Sequence, residues 1–196
     1  MNKLITINAS DRYKRVNGEV VIEIAVKNSR QLFNERDPSP FRERDLDENF
    51  VTYIVNAVQE FPLQTKMKIQ IVSSDNTDTS TEKKFIISEA IQTYFQYESK
   101  LASAKLRKRL KMARLFSLIG VSVLIVSLSI AEAINSLKSN SAIANVASVG
   151  LVIIGWVAMW HPIEVLLYDW WPDREQRMYF DKIAKLNVDV INANVN

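Results

Sequence analysis

The chain contains no cysteine and a single histidine, His161. Disulfides, thiolate nucleophiles and cysteine-based zinc sites are therefore excluded. One histidine with Glu164 a helical turn later supplies too few ligands for a metal within one chain. Glycine and proline are also scarce, at four and five in 196 residues. No glycine-rich phosphate loop can be written from so few glycines. No glycine stands between Gly18 and Gly120, and no proline between Pro62 and Pro162. A helix starting near residue 80 thus meets no stop signal over a long stretch. The first residues, Met1 to Asn8, lack the apolar run of a secretory signal peptide. The first strong export signal is internal, so the first domain is expected on the cytoplasmic side.

Charge is unevenly distributed. Residues 1–99 hold thirteen basic and fifteen acidic side chains, whereas 100–114 hold seven basic and none acidic. The formal net charge of +3 therefore comes from one short stretch and not from a broad basic surface. Nucleic acid is not an expected partner.

The sequence predicts an α+β fold: a small N-terminal mixed β-sheet domain with helices, then a long helix continuing into a two-helix transmembrane hairpin. Leu4, Ile5 and Ile7 suggest a first strand, and residues 8–18 a polar loop turning at Asn17 and Gly18. The β-branched run Glu19–Val26 is the clearest strand. A polar segment over 28–45 leads into a helix capped by Asp45 or Asp47. Phe50, Val51, Ile54, Val55, Val58 and Phe61 form its apolar face, and Pro62 ends it. Residues 66–72 alternate as a third strand, parallel to the second. Residues 73–79 read as a loop. Thr79 and Glu82 then match a capping box. The helix that follows offers Phe85, Ile87, Ile91, Tyr94 and Phe95 to the sheet. A core within 1–95 is near the lower size limit, so support from a partner subunit or the next helix is expected. The expected divisions are a cytoplasmic domain over 1–95, a basic helical stalk over 96–114, a hairpin over 115–171 and a cytoplasmic tail over 172–196.

Residues 115–131 carry no charge, and a second uncharged run covers 139–160. At about 1.5 Å per residue, spans over 115–134 and 142–160 reach across a hydrocarbon core of about 30 Å. Seven basic residues precede the first span, and only Lys138 lies between the two. The positive-inside rule then puts both termini in the cytoplasm and residues 135–141 outside. Lys105, Arg107, Lys108, Arg109, Lys111 and Arg114 are candidates for anionic lipid head groups. Trp160, His161, Glu164, Tyr168, Trp170 and Trp171 are candidates for an interfacial anchor over 161–171, turned along the membrane surface at Pro162. Glu164 is expected to meet Arg114 or Lys111.

Asp37, Pro38, Ser39, Pro40 and Phe41 open a second conspicuous segment, followed by Arg42, Arg44, Asp45, Leu46 and Asp47. Two prolines force an extended or turning backbone. Phe41 and Leu46 can anchor the loop while its charges remain for contacts. Asp37, Phe41, Arg42, Arg44, Asp45 and Asp47 are the candidate protein-binding residues. Paired with the stretch running from Gly155 and Trp156 through Trp160, Pro162, Glu164, Tyr168, Asp169 and Trp170 to Trp171 and Pro172, this segment resembles a family of bacterial two-span membrane proteins. His161 stands where a basic residue is expected. The resemblance implies a membrane protein and brings no activity with it.

No residue is assigned to catalysis, a cofactor or a metal. The expected function is a non-enzymatic module of the inner membrane whose cytoplasmic domain self-assembles or recruits a protein partner. The alternatives are a homo-oligomeric pore or membrane-disrupting effector gated by that domain, and a membrane-surface enzyme using acids of the 37–47 loop. Against the pore, Ser117, Ser122, Ser127 and Ser129 are mild residues able to bond their own helix backbone.

Overall fold

The computed structural model describes residues 12–40, 44–136 and 142–193, without the side chains of His161 and Leu166. The expected first strand lies outside these residues. The chain divides into two compact units, Met1–Leu101 with Gln176–Asn196, and Ala102–Glu175.

The first unit is built on a four-stranded mixed sheet in the order β1-β2-β3-β4. Strands β1 (Lys14–Val16) and β2 (Glu19–Val26) pair antiparallel. Both residues of the turn between them, Asn17 and Gly18, have positive φ, at 52° and 81°. That geometry matches the right-handed strand twist and favours Asn-Gly. β1 thus lies inside the stretch read as loop; three exposed polar-flanked residues give no periodic signal. β2 pairs parallel with β3 (Met67–Ser73) through helix α1 (Glu48–Gln59), as the strand–helix–strand pattern predicts. Asp47 is the cap of α1, its Oδ1 accepting from the amides of Asn49 and Phe50, both at 3.0 Å. Phe50, Ile54, Ala57 and Val58 are buried along α1.

The stretch read as a tail from residue 172 is, from Gln176 on, part of the sheet domain over its described residues. Helix α4 (Trp171–Ile183) leads into β4 (Asn187–Asn192), which pairs parallel with β3 from Lys68 opposite Asn187 to Ser73 opposite Asn192. The register aligns Ile22, Ile69 and Val188 on one face of the sheet, all buried. The opposite face is mixed and includes Glu23, Gln70, Lys68 and Asp189, the last two paired at 3.6 Å. The next helix supplies part of the support expected for this small core, and α4 and β4, not foreseen in that role, add Tyr179, Phe180, Ile183, Val188 and Val190, all buried. The Phe180 ring sits 6.1 Å from that of Phe95.

Helix α2 runs unbroken over Thr81–Ser136, 56 residues, as the absence of proline, and of glycine before Gly120, predicts. Its start is one residue later than the capping box suggests: Ser80 Oγ accepts from the Lys83 amide at 3.4 Å. Ile87, Ala90, Ile91 and Phe95 are buried, whereas Phe85 is 63% exposed. Phe85 lies roughly 200° around the helix from Ile87, so it cannot share that face. Helix α3 (Ala142–Glu164) follows in the second unit. α2 and the helical stretch Ala142–Ile183 are both long and apolar enough to cross a membrane.

The stretch read as a plain loop after β3 holds a buried carboxylate. Asp78 accepts from the Ser29 amide at 2.6 Å, the Ser29 hydroxyl at 2.7 Å and the Ser73 hydroxyl at 2.7 Å. Lys83 Nζ stands 3.4 Å away. One side chain so ties the turn after β2, the end of β3 and the start of α2. Burial pushes its pKa up, but the serine hydrogen bonds and Lys83 outweigh it and hold the carboxyl below its usual range. A depressed folded pKa contributes stability that is present above the unfolded value and lost as pH falls through the folded one. Asp78→Ala is therefore expected to cost about 3 kcal/mol at pH 7, given charge-assisted bonds worth about 1.5–3 kcal/mol each before desolvation is counted. The deficit should shrink below about pH 4, where the unfolded carboxyl titrates. Urea unfolding of both proteins at pH 7 and pH 3 checks this; an equal deficit at both values contradicts it.

Candidate functional site

The 37–47 loop is stitched by its own acids. An antiparallel bridge joins Phe33 and Leu46, with the Asn34 amide donating to Asp45 O at 2.8 Å and the Asp47 amide to Leu32 O at 3.0 Å. Asp37 Oδ1 accepts from the Ser39 amide at 3.0 Å and Oδ2 from the Asp45 amide at 2.7 Å. These bonds, that from Asp45 first, lower the pKa of Asp37. Arg44 Nε donates to Ser39 O at 3.3 Å. Leu46 is buried, as expected of an anchor. Phe41 and Arg42 lie outside the described residues. Asp37 and Asp47 thus spend carboxylate oxygens on backbone amides, and Asp45 remains exposed. Tyr94 of α2, read in the sequence only as a residue facing the sheet, and Glu98, not singled out there, both feel this loop. Burial, then Glu98, Asp45 and Glu48, push the Tyr94 pKa up to about 12. Burial and Asp45 raise that of Glu98. An open cavity of about 500 Å³ beside the loop is lined by Asn34, Arg36, Asp47 and Glu48 among others. Among the described residues no group of three His, Asp or Glu side chains is placed to hold a metal.

In the second unit, α2 and α3 pack antiparallel through small residues, the usual means by which apolar helices approach closely. A Cβ placed on Gly120 would stand 2.9 Å from Ala158 O and 3.2 Å from Pro162 Cγ. One on Gly155 would stand 2.9 Å from Leu124 Cδ1 and 3.4 Å from Ser127 Cβ. Ala113, Ser127, Ala131 and Ser148 are buried. Ser117, Ser122 and Ser129 donate back to the carbonyls four residues earlier, each at 2.8 Å.

Pro162 does not end the helix. α3 continues through it to Glu164, a π-helical turn covers Val165–Asp169, and α4 starts at Trp171. The anchor segment over 161–171 is therefore helical. Trp160, Tyr168 and Trp171 are exposed, and Arg174 lies 5.5 Å over the Trp170 ring.

This continuation changes the ion pair at the base of the hairpin. The acid that meets the basic segment is Asp173, not Glu164. Asp173 is buried, 3.0 Å from Arg109 Nε and 3.5 Å from Lys105 Nζ. Arg109 Nη1 also donates to Asp169 O in the π turn at 2.5 Å. Two of the six candidate head-group cations are thus turned to Asp173. Arg107, Lys108, Lys111 and Arg114 are exposed. Arg109→Ala is expected to destabilise this unit by about 3 kcal/mol, because it leaves a buried carboxylate with one distant cation. Asp173→Asn should cost less, since Lys105 and Arg109 are open enough to be hydrated. Unfolding of the two variants in detergent checks the order, and the reverse order contradicts it.

No protein-family model, curated protein or solved structure matches the chain.

Proposed function

We propose that this chain is a membrane-anchored, non-enzymatic module of the inner membrane. Its two long apolar helices cross the bilayer, and its α+β domain self-assembles or recruits a protein partner on the cytoplasmic side. The observation that carries the reading is the parallel pairing of β3 with β4. Strands on either side of the hairpin belong to one sheet, so the intervening chain must cross any membrane an even number of times. Apolar exposure supports the same reading. Ile143, Val146, Trp156 and Val157 of α3 are 67–81% exposed, far beyond what scattered surface residues explain. The segment of 34–47, with Glu48, Tyr94 and Glu98 beside it, is the surface offered to a partner.

Carbonate washing of membranes and reporter fusions test the proposal. The protein should stay with the washed membrane. A reporter after Asn196 should behave as cytoplasmic, and one placed within 136–140 as external. Release by carbonate, or an external C-terminus, overturns the two-span reading. Ion leakage from liposomes holding the purified protein favours the pore instead.

A further inference from the structure

We propose that α2 carries a site for a single anionic phospholipid, its phosphate held by Arg114 with Lys111 and Arg107, and an acyl chain lying in the groove below Arg114. The inference rests on the two-span reading above and goes further by naming the ligand and separating the cations that take it from those that do not.

The helix sorts its basic residues into two faces. Lys105 and Arg109 are four apart and share the face that meets Asp173. Arg107, Lys111 and Arg114 follow at four and three, which puts them on one face, roughly opposite at 3.6 residues per turn. All three are exposed. At about 1.5 Å per residue they cover about 10 Å along the axis. The head-group layer of one leaflet is about 5–8 Å thick, and the long basic side chains reach along the helix to it. From 99 to 131 the helix contains no Asp or Glu, so nothing on it competes with an anion.

Directly along the helix from this face lies an open groove of about 330 Å³, lined by Arg114, Ser117, Leu118 and Val121. Leu118 and Val121 are exposed, and the Ser117 hydroxyl is spent on the Ala113 carbonyl. The groove is therefore apolar, with one guanidinium at its head. A cation at the mouth of an apolar groove, at the last charged position before an uncharged run, matches the order of groups in a phospholipid. A zwitterionic head group brings its own ammonium toward three cations, so the anionic class is favoured. A free phosphate leaves the groove unused.

Native mass spectrometry of the full chain in detergent, with phosphatidylglycerol or phosphatidylcholine added, tests the site. Phosphatidylglycerol should be retained preferentially. Arg114→Gln should weaken that retention about fivefold, the equivalent of about 1 kcal/mol per cation near an anionic surface. Arg174→Gln removes a cation elsewhere in the same unit and should leave retention unchanged. Val121→Trp fills the groove and should also weaken retention. Equal losses from Arg114→Gln and Arg174→Gln mean diffuse attraction and overturn the site, as does an unaltered Val121→Trp. Displacement of the lipid by millimolar inorganic phosphate also overturns it in favour of a simple anion site. Variants that still resist carbonate keep the two-span reading intact, so the two failures can be told apart.

Discussion

A chain ending at Glu175 is expected to lose the folded state of its first unit altogether. Such a chain keeps β1 to β3, α1 and the whole hairpin but lacks most of α4 and all of β4. Removed with them are the buried side chains of Tyr179, Phe180, Ile183, Leu186, Val188 and Val190. At about 1.5–3 kcal/mol for a fully buried large apolar side chain, the loss is on the order of 10 kcal/mol. That is as large as the whole stability of an ordinary domain. β3 also becomes an unpaired edge along the register from Lys68 to Ser73. Hydrogen exchange at Met67–Ser73 gives a reading confined to this unit. In the full chain these amides should be protected; in the shortened chain they should exchange as in an unfolded segment. Retained protection would falsify the view that the domain is closed from its C-terminal side. A point change gives a graded version: Ile183→Ala is expected to cost about 2–5 kcal/mol at a residue with no exposed surface.

The same arrangement means that β3 and β4 are the two strands of a parallel pair whose crossover contains the hairpin. The helices α2 and α4 serve that crossover at its two ends, and Ala102–Glu175 is an insertion within it. In the proposed membrane setting, the core closes only after the second span has returned the chain to the side on which it started.

How far the sequence revealed this depended on the range of the signal. The β-branched run of β2, the Asp47 cap and the alternating Met67–Ser73 were legible because each is a local pattern. The length of α2 followed from the absence of proline, and of glycine before Gly120. β4 was missed although Val188 and Val190 alternate with polar neighbours, because its strand partner lies more than a hundred positions away and its exposed residues read as a polar tail. The Asp173 pair was invisible for a related reason. It depends on how the hairpin helices register, and the expected turn at Pro162 would have placed Glu164 there instead. In the loop, position alone narrowed the cap to Asp45 or Asp47, of which the fold uses Asp47. Asp37 bonding the amide of Asp45, eight residues on, was not. The buried role of Asp78 likewise requires the ends of β2 and β3 to meet first.

Three glycines of the hairpin should respond to alanine in sharply different ways. Gly150 has nothing within 4 Å of an added Cβ, so Gly150→Ala should be neutral or stabilise α3 by up to about 1 kcal/mol through helix propensity. At Gly155 the closest atom, Leu124 Cδ1, is the end of a flexible side chain that can turn away, so the change should be small. At Gly120 the atom met at 2.9 Å is the backbone oxygen of Ala158, which cannot move without shifting the helix. Gly120→Ala is expected to cost about 1–3 kcal/mol, and Gly120→Leu more. The carbonyl concerned is a special one. Pro162 has no N–H to give it, so Ala158 O lacks its donor from the next turn. With only hydrogen in place of that Cβ, Gly120 leaves room for the weak C–H contact common at helix interfaces, and in a bilayer core no water would replace it. This account makes the two positions dependent on each other. Pro162→Ala restores the donor and removes the Cγ atom 3.2 Å from the added Cβ. Gly120→Ala should therefore cost measurably less in a Pro162→Ala background, with a coupling of at least about 0.5 kcal/mol. Unfolding of the four chains of this cycle in mixed detergent measures it. Strict additivity would show that Gly120 is a simple steric gap, unconnected with the proline that faces it.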